Sequence, residues 1–295
     1  MLNVKRNSPY DVTKVFRKQI YKSSDFSLPY GIYIPKNYDC GETYPLLVFL
    51  HGAGERGDDN HLQLTVALQK MFDNTSSPVY DAIVIAPQCP LDEQWVKVPF
   101  DCGNYSVADT PESIELEAVC GIIRDCICDY NIDKNRIYVT GISMGGYGTW
   151  DMLCRHGNRI AAGMPVCGGG DPSYAKKLKN IPIRTFHGSE DGAVPPSGTR
   201  KMFAALKKAG SESIEYTELD GMDHGIWDTV YSDTDNLRWL FSQRLDDRAK
   251  ADRKDDITRG VIAGVAGSAA VSAAIGIIVG IIKGKKKKDN DNSEK

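Results

Sequence analysis

Arg136-Ile137-Tyr138-Val139-Thr140-Gly141-Ile142-Ser143-Met144-Gly145-Gly146-Tyr147-Gly148-Thr149-Trp150 runs from a strand-like segment through a serine into a helix-like one. The β-branched and aromatic residues before Gly141 suit a buried strand, and Tyr147 to Cys154 can continue as a helix. Gly141-Ile142-Ser143-Met144-Gly145 places the serine in a G-x-S-x-G frame, which becomes specific when a strand precedes it and a helix follows. A sharp turn at the serine leaves no space for a Cβ on its neighbours, hence glycine at 141 and 145. A helix beginning at Met144 aims its free amides and positive dipole end at Ser143, a setting suited to an oxyanion. The competing reading is a plain glycine-rich turn.

Outward from this turn, strand-like runs alternate with amphipathic stretches. Tyr30 to Ile34, Leu46 to Leu50 and Ala82 to Ala86 precede it, and Met164 to Val166, Ile183 to Phe186 and Ile214 to Leu219 follow it. Continuous apolar runs of this length suit strands covered on both faces, so a mostly parallel central sheet with helices on both sides is expected. Leu116, Val119, Ile122, Ile123, Cys126, Ile127 and Tyr130 recur at helical spacing and predict a crossover helix. Leu237, Leu240, Phe241 and Leu245 predict a closing helix. The expected organisation is a catalytic domain over residues 1–245, a charged helix or linker over 246–259, a candidate transmembrane helix over 260–282, and a basic then polar tail over 283–295.

A serine hydroxyl is a weak nucleophile at neutral pH and needs a base within hydrogen-bond reach, itself oriented by a third group. Five histidines are available. His51 lies in a turn after a strand, His61 starts a helical stretch, His156 lies turns beyond Ser143, and His187 ends a strand. His224, in the glycine-flanked loop Asp220-Gly221-Met222-Asp223-His224-Gly225, is the candidate base; a loop histidine satisfied by its own surroundings is the alternative. With the order serine, acid, histidine, the acid belongs after the strand ending at Phe186, and Asp191 is the choice there with Glu190 as nearest competitor. A helix cap for the segment after Pro195-Pro196 is the bland reading of Asp191. Asp223 and Asp228 are too near His224 in sequence to support it across a site. Two amides are needed for the oxyanion: Met144 supplies one, and the loop Leu50-His51-Gly52-Ala53-Gly54-Glu55-Arg56-Gly57 the other, through Ala53 first and Gly54 second. That loop has no G-K-[ST] ending, which argues against a phosphate cradle.

His51-Gly52-Ala53-Gly54, Gly141-Ile142-Ser143-Met144-Gly145-Gly146, Asp191 in Gly-Ser-Glu-Asp-Gly and Asp223-His224-Gly225 resemble, in this order, the motifs of α/β-hydrolases. The chain is most similar to the carboxylesterase and dienelactone-hydrolase-like group, which includes feruloyl esterase-like and predicted peptidase members and is related to the catalytic domain of prolyl oligopeptidases. The resemblance spans about residues 10 to 245 and implies the α/β-hydrolase fold. It also implies Ser143 as nucleophile, Asp191 as acid, His224 as base and the Met144, Ala53 and Gly54 amides at the oxyanion. A membrane tail departs from the usual soluble members of the group.

With 295 residues, 41% hydrophobic and 25% charged, the composition is that of an ordinary globular chain long enough for one large α/β domain. A formal net charge of −3 argues against nucleic acid as a partner. Cys120, Cys126, Cys128 and Cys154 fall on helix-like segments without metal-ligand spacing and are expected as small buried hydrophobes in a reducing compartment. Cys89 and Cys102 lie in a loop-like stretch, where pairing is the alternative. The amino terminus, Met1 to Ser8, has no apolar signal-peptide core. Residues 260–282 are 23 uncharged positions of Gly, Ala, Ser, Val and Ile, enough to cross a bilayer as a helix. A single carboxy-terminal anchor is expected, with a buried glycine-rich helix as the alternative. Gly276, Gly280 and Gly284 recur at the spacing that permits close helix contact and self-association in lipid.

The reaction expected is ester hydrolysis through an acyl-enzyme, with no metal or organic cofactor and a small-molecule ester as substrate. Between Val166 and Ile183 there are too few residues for a large cap, so the site is expected to be open, on short-acyl or aromatic esters. Gln88, Trp95 and Trp227 are candidate substrate contacts, and Trp95, Phe100 and Tyr105 a candidate pocket wall. A peptidase and a membrane-tethered binding module are the competing functions. The catalytic domain is expected to face the cytoplasm.

Overall fold

The computed structural model describes residues 11–248. Eight strands form one sheet: β1 (Arg17–Lys22), β2 (Ser27–Tyr33), β3 (Tyr44–Leu50), β4 (Ile83–Pro87), β5 (Ile132–Ile142), β6 (Ala162–Val166), β7 (Ile183–Gly188) and β8 (Ile214–Leu219). Their spatial order is β1-β2-β4-β3-β5-β6-β7-β8. β2 runs antiparallel to both its neighbours, and every pairing from β4 to β8 is parallel. Among the described residues, the helices around the sheet include α1 (Val12–Val15), α2 (Ala67–Met71), α3 (Ile114–Asp129), α4 (Met144–His156), α5 (Ala175–Leu178), α6 (Ser197–Lys208), α7 (Trp227–Ser232) and α8 (Thr234–Ser242).

Alternation along β3 explains why its sequence is apolar throughout. Leu46, Val48 and Leu50 enter the layer built with α3, α4 and α6, while Leu47 and Phe49 enter the opposite layer with α2 and α8. The predicted crossover helix is α3, capped by Ser113 Oγ, which accepts from Leu116 N–H at 3.2 Å. Its first turn carries Glu115 and Glu117, the sign that suits a helix N-terminus.

Three features differ from the sequence reading. β1 was not expected, because five of its six residues are exposed and it has no apolar face; pairing with β2 alone makes it a strand. The closing helix breaks at Gln243, whose carbonyl accepts from the Tyr138 hydroxyl at 2.8 Å. Residues 245–248 then form a further turn, and the Arg248 guanidinium donates to the Gly157 and Ile160 carbonyls, so the compact unit runs through Arg248. Cys126 and Cys154 are buried as expected, but Cys128 is exposed and Cys120 partly so; Cys89 and Cys102 are both free thiols.

No helix among the described residues is long and apolar enough to cross a membrane. The segment 260–282, with the flanking tracts 249–259 and 283–295, lies outside the described residues.

Two stability predictions follow from local contacts. A Cβ on Gly145 would stand 1.9 Å from the Leu50 carbonyl oxygen, which is strand backbone and cannot yield cheaply. Gly145→Ala is therefore expected to lower unfolding free energy by about 3 kcal/mol in urea. Gly192→Ala, where a Cβ meets nothing within 4 Å, is expected to change it by less than about 0.5 kcal/mol. The second concerns His156, which is bonded to Cys120 and, at 2.6 Å, to Glu112; these contacts outweigh burial and push it up to about 10. A raised native value means stability that is complete below the unfolded value near 6.5 and lost as pH rises through about 10. Urea midpoints at pH 7 and pH 10 are expected to differ less for Glu112→Gln than for the parent protein.

Candidate active site

Ser143 sits between the end of β5 and the start of α4 with φ 55° and ψ −117°, a conformation a side-chain-bearing residue adopts only when its surroundings impose it. They do so here from both sides. Ser143 N–H donates to the Val166 carbonyl on β6, and a Cβ at Gly141 would lie 2.5 Å from the carbonyls of Leu50 and Gly145. The glycines flanking the serine are thus required by backbone packed against backbone, and the turn lifts the serine side chain above the sheet.

The structure brings the three residues picked from sequence into one hydrogen-bonded line. Ser143 Oγ lies 2.8 Å from His224 Nε2, and His224 Nδ1 lies 2.6 Å from Asp191 Oδ2. Asp191 follows β7, and His224 occupies the loop after β8, so the parallel order of the sheet sets their approach. The His224 side chain is 23% exposed while the Asp191 carboxylate is fully buried, so the imidazole alone of this pair reaches the solvent side. Burial works to raise the Asp191 pKa, but hydrogen bonds from His187, His224 and the Val194 N–H overcome it and hold the carboxyl well below the usual range. Asp191 also performs the local task considered for it, since Oδ1 accepts from the N–H groups of Ala193 and Val194 at 2.9 and 2.8 Å.

None of the other histidines contacts Ser143, and His61 is exposed. His51 is fully buried, accepts the Cys89 N–H at Nε2 and faces the Gly52 carbonyl with Nδ1, and burial pushes it down to about 4. It is a neutral structural ring. His156 is at the far end of α4. His187, set aside from sequence as a strand-end residue, lies 3.1 Å from Asp191 Oδ2 and is fully buried.

A cavity of about 340 Å³ opens beside Ser143 and His224, walled by Ala53, Gly54, Glu55, Phe100, Val194 and Trp227. Met144 begins α4, so its N–H is one of the helix-start amides without an intrahelical acceptor. Ala53 and Gly54 stand on the cavity wall in a short turn, Ala53–Glu55, braced by Gly52 N–H to Glu55 Oε2 and by Arg56 Nε to the Ala53 carbonyl. Trp227 meets the His224 ring edge-on with centroids 5.4 Å apart.

Two of the substrate contacts expected from sequence are corrected. Trp95 is fully buried in the core and donates from Nε1 to the His51 carbonyl. Gln88 is fully buried as well; its side chain accepts from Asn60 N–H and donates to the Glu55 carbonyl and Asp59, steadying the loop that carries Ala53 and Gly54. Tyr105 likewise turns inward to Asp151. Phe100, from the same segment, does line the cavity, as does Glu55, which sequence reading passed over. A second cavity of about 320 Å³ lies around Ile123, Ile137 and Met152, near His156, and holds none of the three aligned residues.

A serine that is aligned with an imidazole and a buried carboxylate, beside an accessible cavity, can transfer a proton to the imidazole as it attacks a carbonyl. Fold and site together define an α/β-hydrolase. The chain belongs to the phospholipase/carboxylesterase family, which matches residues 40–236. It is 28% identical over 160 residues to the bifunctional acetylxylan esterase/xylanase XynS20E of Neocallimastix patriciarum, a match covering 54% of this chain and 21% of that protein. It is similar to the crystal structure of a thermostable esterase, with 36% identity, a TM-score of 0.68, and coverage of 79% of this chain and 64% of the other. A mutant feruloyl esterase module from Clostridium thermocellum complexed with sinapinate shares the fold at 15% identity and TM-score 0.54, over 77% of this chain and 88% of that one. The chain thus spans about a fifth of the curated relative and less than two thirds of the thermostable esterase.

Proposed function

We propose that this protein is a serine carboxylic-ester hydrolase working through an acyl-enzyme. Ser143 attacks the ester carbonyl while His224 takes its proton, and the amides of Met144 and of Ala53 or Gly54 stabilise the oxyanion. His224 then protonates the leaving alcohol, and water, activated by the same imidazole, releases the acid. Asp191 holds His224 in the tautomer whose Nε2 can accept. The observation carrying this reading is the unbroken line from Ser143 Oγ to Asp191 Oδ2, whose Ser143 and His224 members line an accessible cavity.

Short-acyl or aromatic esters fit a cavity walled by Phe100 and Trp227, and the names of the relatives, an acetylxylan esterase and a feruloyl esterase, point to acetylated xylan and feruloyl esters. A panel of p-nitrophenyl esters from acetate to palmitate, with feruloyl and acetyl-sugar esters, tests this. Activity peaking at palmitate, or absent from every ester, overturns it. We further propose that residues 260–282 tether the domain to a membrane with its catalytic face in the cytoplasm, supported by their uncharged length. Extraction of the full chain by carbonate without detergent, or digestion of the catalytic domain by protease added outside sealed cells, would contradict it.

A further inference from the structure

We infer that His187 is a positioning residue for the triad proposed above: a buried imidazole protonated on both nitrogens, which pairs with Asp191 and fixes its carboxylate for His224. Hydrogen-bond accounting carries the inference. Thr199 Oγ1 lies 2.7 Å from the Gly168 carbonyl, which can only accept, so the single hydroxyl proton lies on that line. The same oxygen is 2.8 Å from His187 Nδ1 and must there accept, which puts a proton on Nδ1. On the opposite side of the ring, Nε2 faces the Val194 carbonyl at 2.9 Å and Asp191 Oδ2 at 3.1 Å. Both are acceptors, and a bare lone pair at Nε2 would be repelled by each, so Nε2 carries a proton too. A ring that donates from both nitrogens is cationic.

Charge balance agrees. The Asp191 carboxylate is fully buried, and a buried anion needs a partner. His224 gains its charge only while the reaction proceeds, whereas His187, also fully buried, neutralises the anion at rest. The carboxylate is held by Ala193 N–H and Val194 N–H on Oδ1 and by His187 and His224 on Oδ2, and it also bonds the Cys167 thiol. These contacts, on both of its oxygens, leave it one orientation. The other titratable groups facing this cluster are the Cys167 thiol after β6, Glu218 on β8 and Asp223 in the His224 loop.

The inference rests on the proposed serine-hydrolase reading for its catalytic meaning, but its first test does not. Nitrogen-15 spectra of histidine-labelled full-length protein at pH 7, with His187 assigned through His187→Gln, are expected to give protonated-type signals for both of its nitrogens. A nonprotonated nitrogen on His187 overturns the inference, whether or not any ester is cleaved. In kinetics, His187→Gln is expected to lower kcat about tenfold with KM little changed. It should also move the acid limb of kcat/KM to higher pH by about one unit, because His224 then faces an uncompensated anion. His187→Leu, which offers no donor, is expected to be more severe than His187→Gln. An unmoved acid limb, or equal losses in the two variants, leaves His187 with a packing role only and overturns the positioning claim. Absence of activity and of fluorophosphonate labelling in the parent protein would instead count against the hydrolase reading and leave the nitrogen spectra to judge His187.

Discussion

Ser143→Ala is expected to reduce kcat on a p-nitrophenyl ester by about 10⁶-fold, leaving only the rate that oxyanion amides and substrate binding supply. The loss is large because every later step passes through the ester formed on Oγ, and among the described residues no second hydroxyl bonds His224 Nε2. Folding should be nearly untouched. The strained backbone at 143 is imposed by β6 and by the glycine contacts, and alanine keeps the same Cβ, so the urea midpoint is expected to move by less than about 1 kcal/mol. A fluorophosphonate probe should label the parent protein once, on the peptide containing Ser143, and the variant not at all. Labelling that survives the substitution, or a folded variant keeping more than about a hundredth of the parent rate, sinks the assignment.

Asp191→Asn is expected to cost about 10⁴-fold in kcat at pH 7. The amide would not be free to choose its orientation. Ala193 and Val194 point N–H groups at Oδ1, so the amide oxygen stays there and the NH₂ group replaces Oδ2 opposite His224 Nδ1, leaving His187 Nε2 to donate to the Val194 carbonyl alone. A donor at that place selects the His224 tautomer that carries its proton on Nε2, which cannot accept one from Ser143. Asp223→Asn is the control: Asp223 Oδ1 accepts from Gly225 N–H, at an exposed position, and its replacement is expected to change kcat by no more than about threefold. A comparable loss in both variants would place the acid elsewhere. In the parent protein the depressed Asp191 pKa means a stability contribution present above the unfolded value and lost as pH falls through the native one, so Asp191→Asn should also flatten the acid side of the stability profile.

The parts of the site that were legible in the chain are those governed by neighbouring residues. Gly141 and Gly145 are required by a turn of five residues, Asp191 and His224 each end a strand-to-loop segment, and order along the chain then assigns roles. β3, β4 and the core of β5 were legible because strands buried on both faces are apolar at every position. β1 was not, since its residues face solvent and pairing alone defines it. The burial of Gln88 and Trp95 is not legible for a related reason: the segment after β4 has no repeating pattern, so nothing in it distinguishes a ring aimed at the cavity, such as Phe100, from one aimed into the core.

Sequence was thus sufficient for the elbow, the order of the three aligned residues and the class of sheet, because each rests on local backbone geometry or on a short period. The sequence could not assign His187 a partner. Its ring and the Asp191 carboxylate meet because β7 turns back over its own end and α6 presents Thr199 from the other side, and the protons on a buried ring follow from which acceptors packing brings against it. Such a balance exists only once distant segments have excluded water from the same few ångströms.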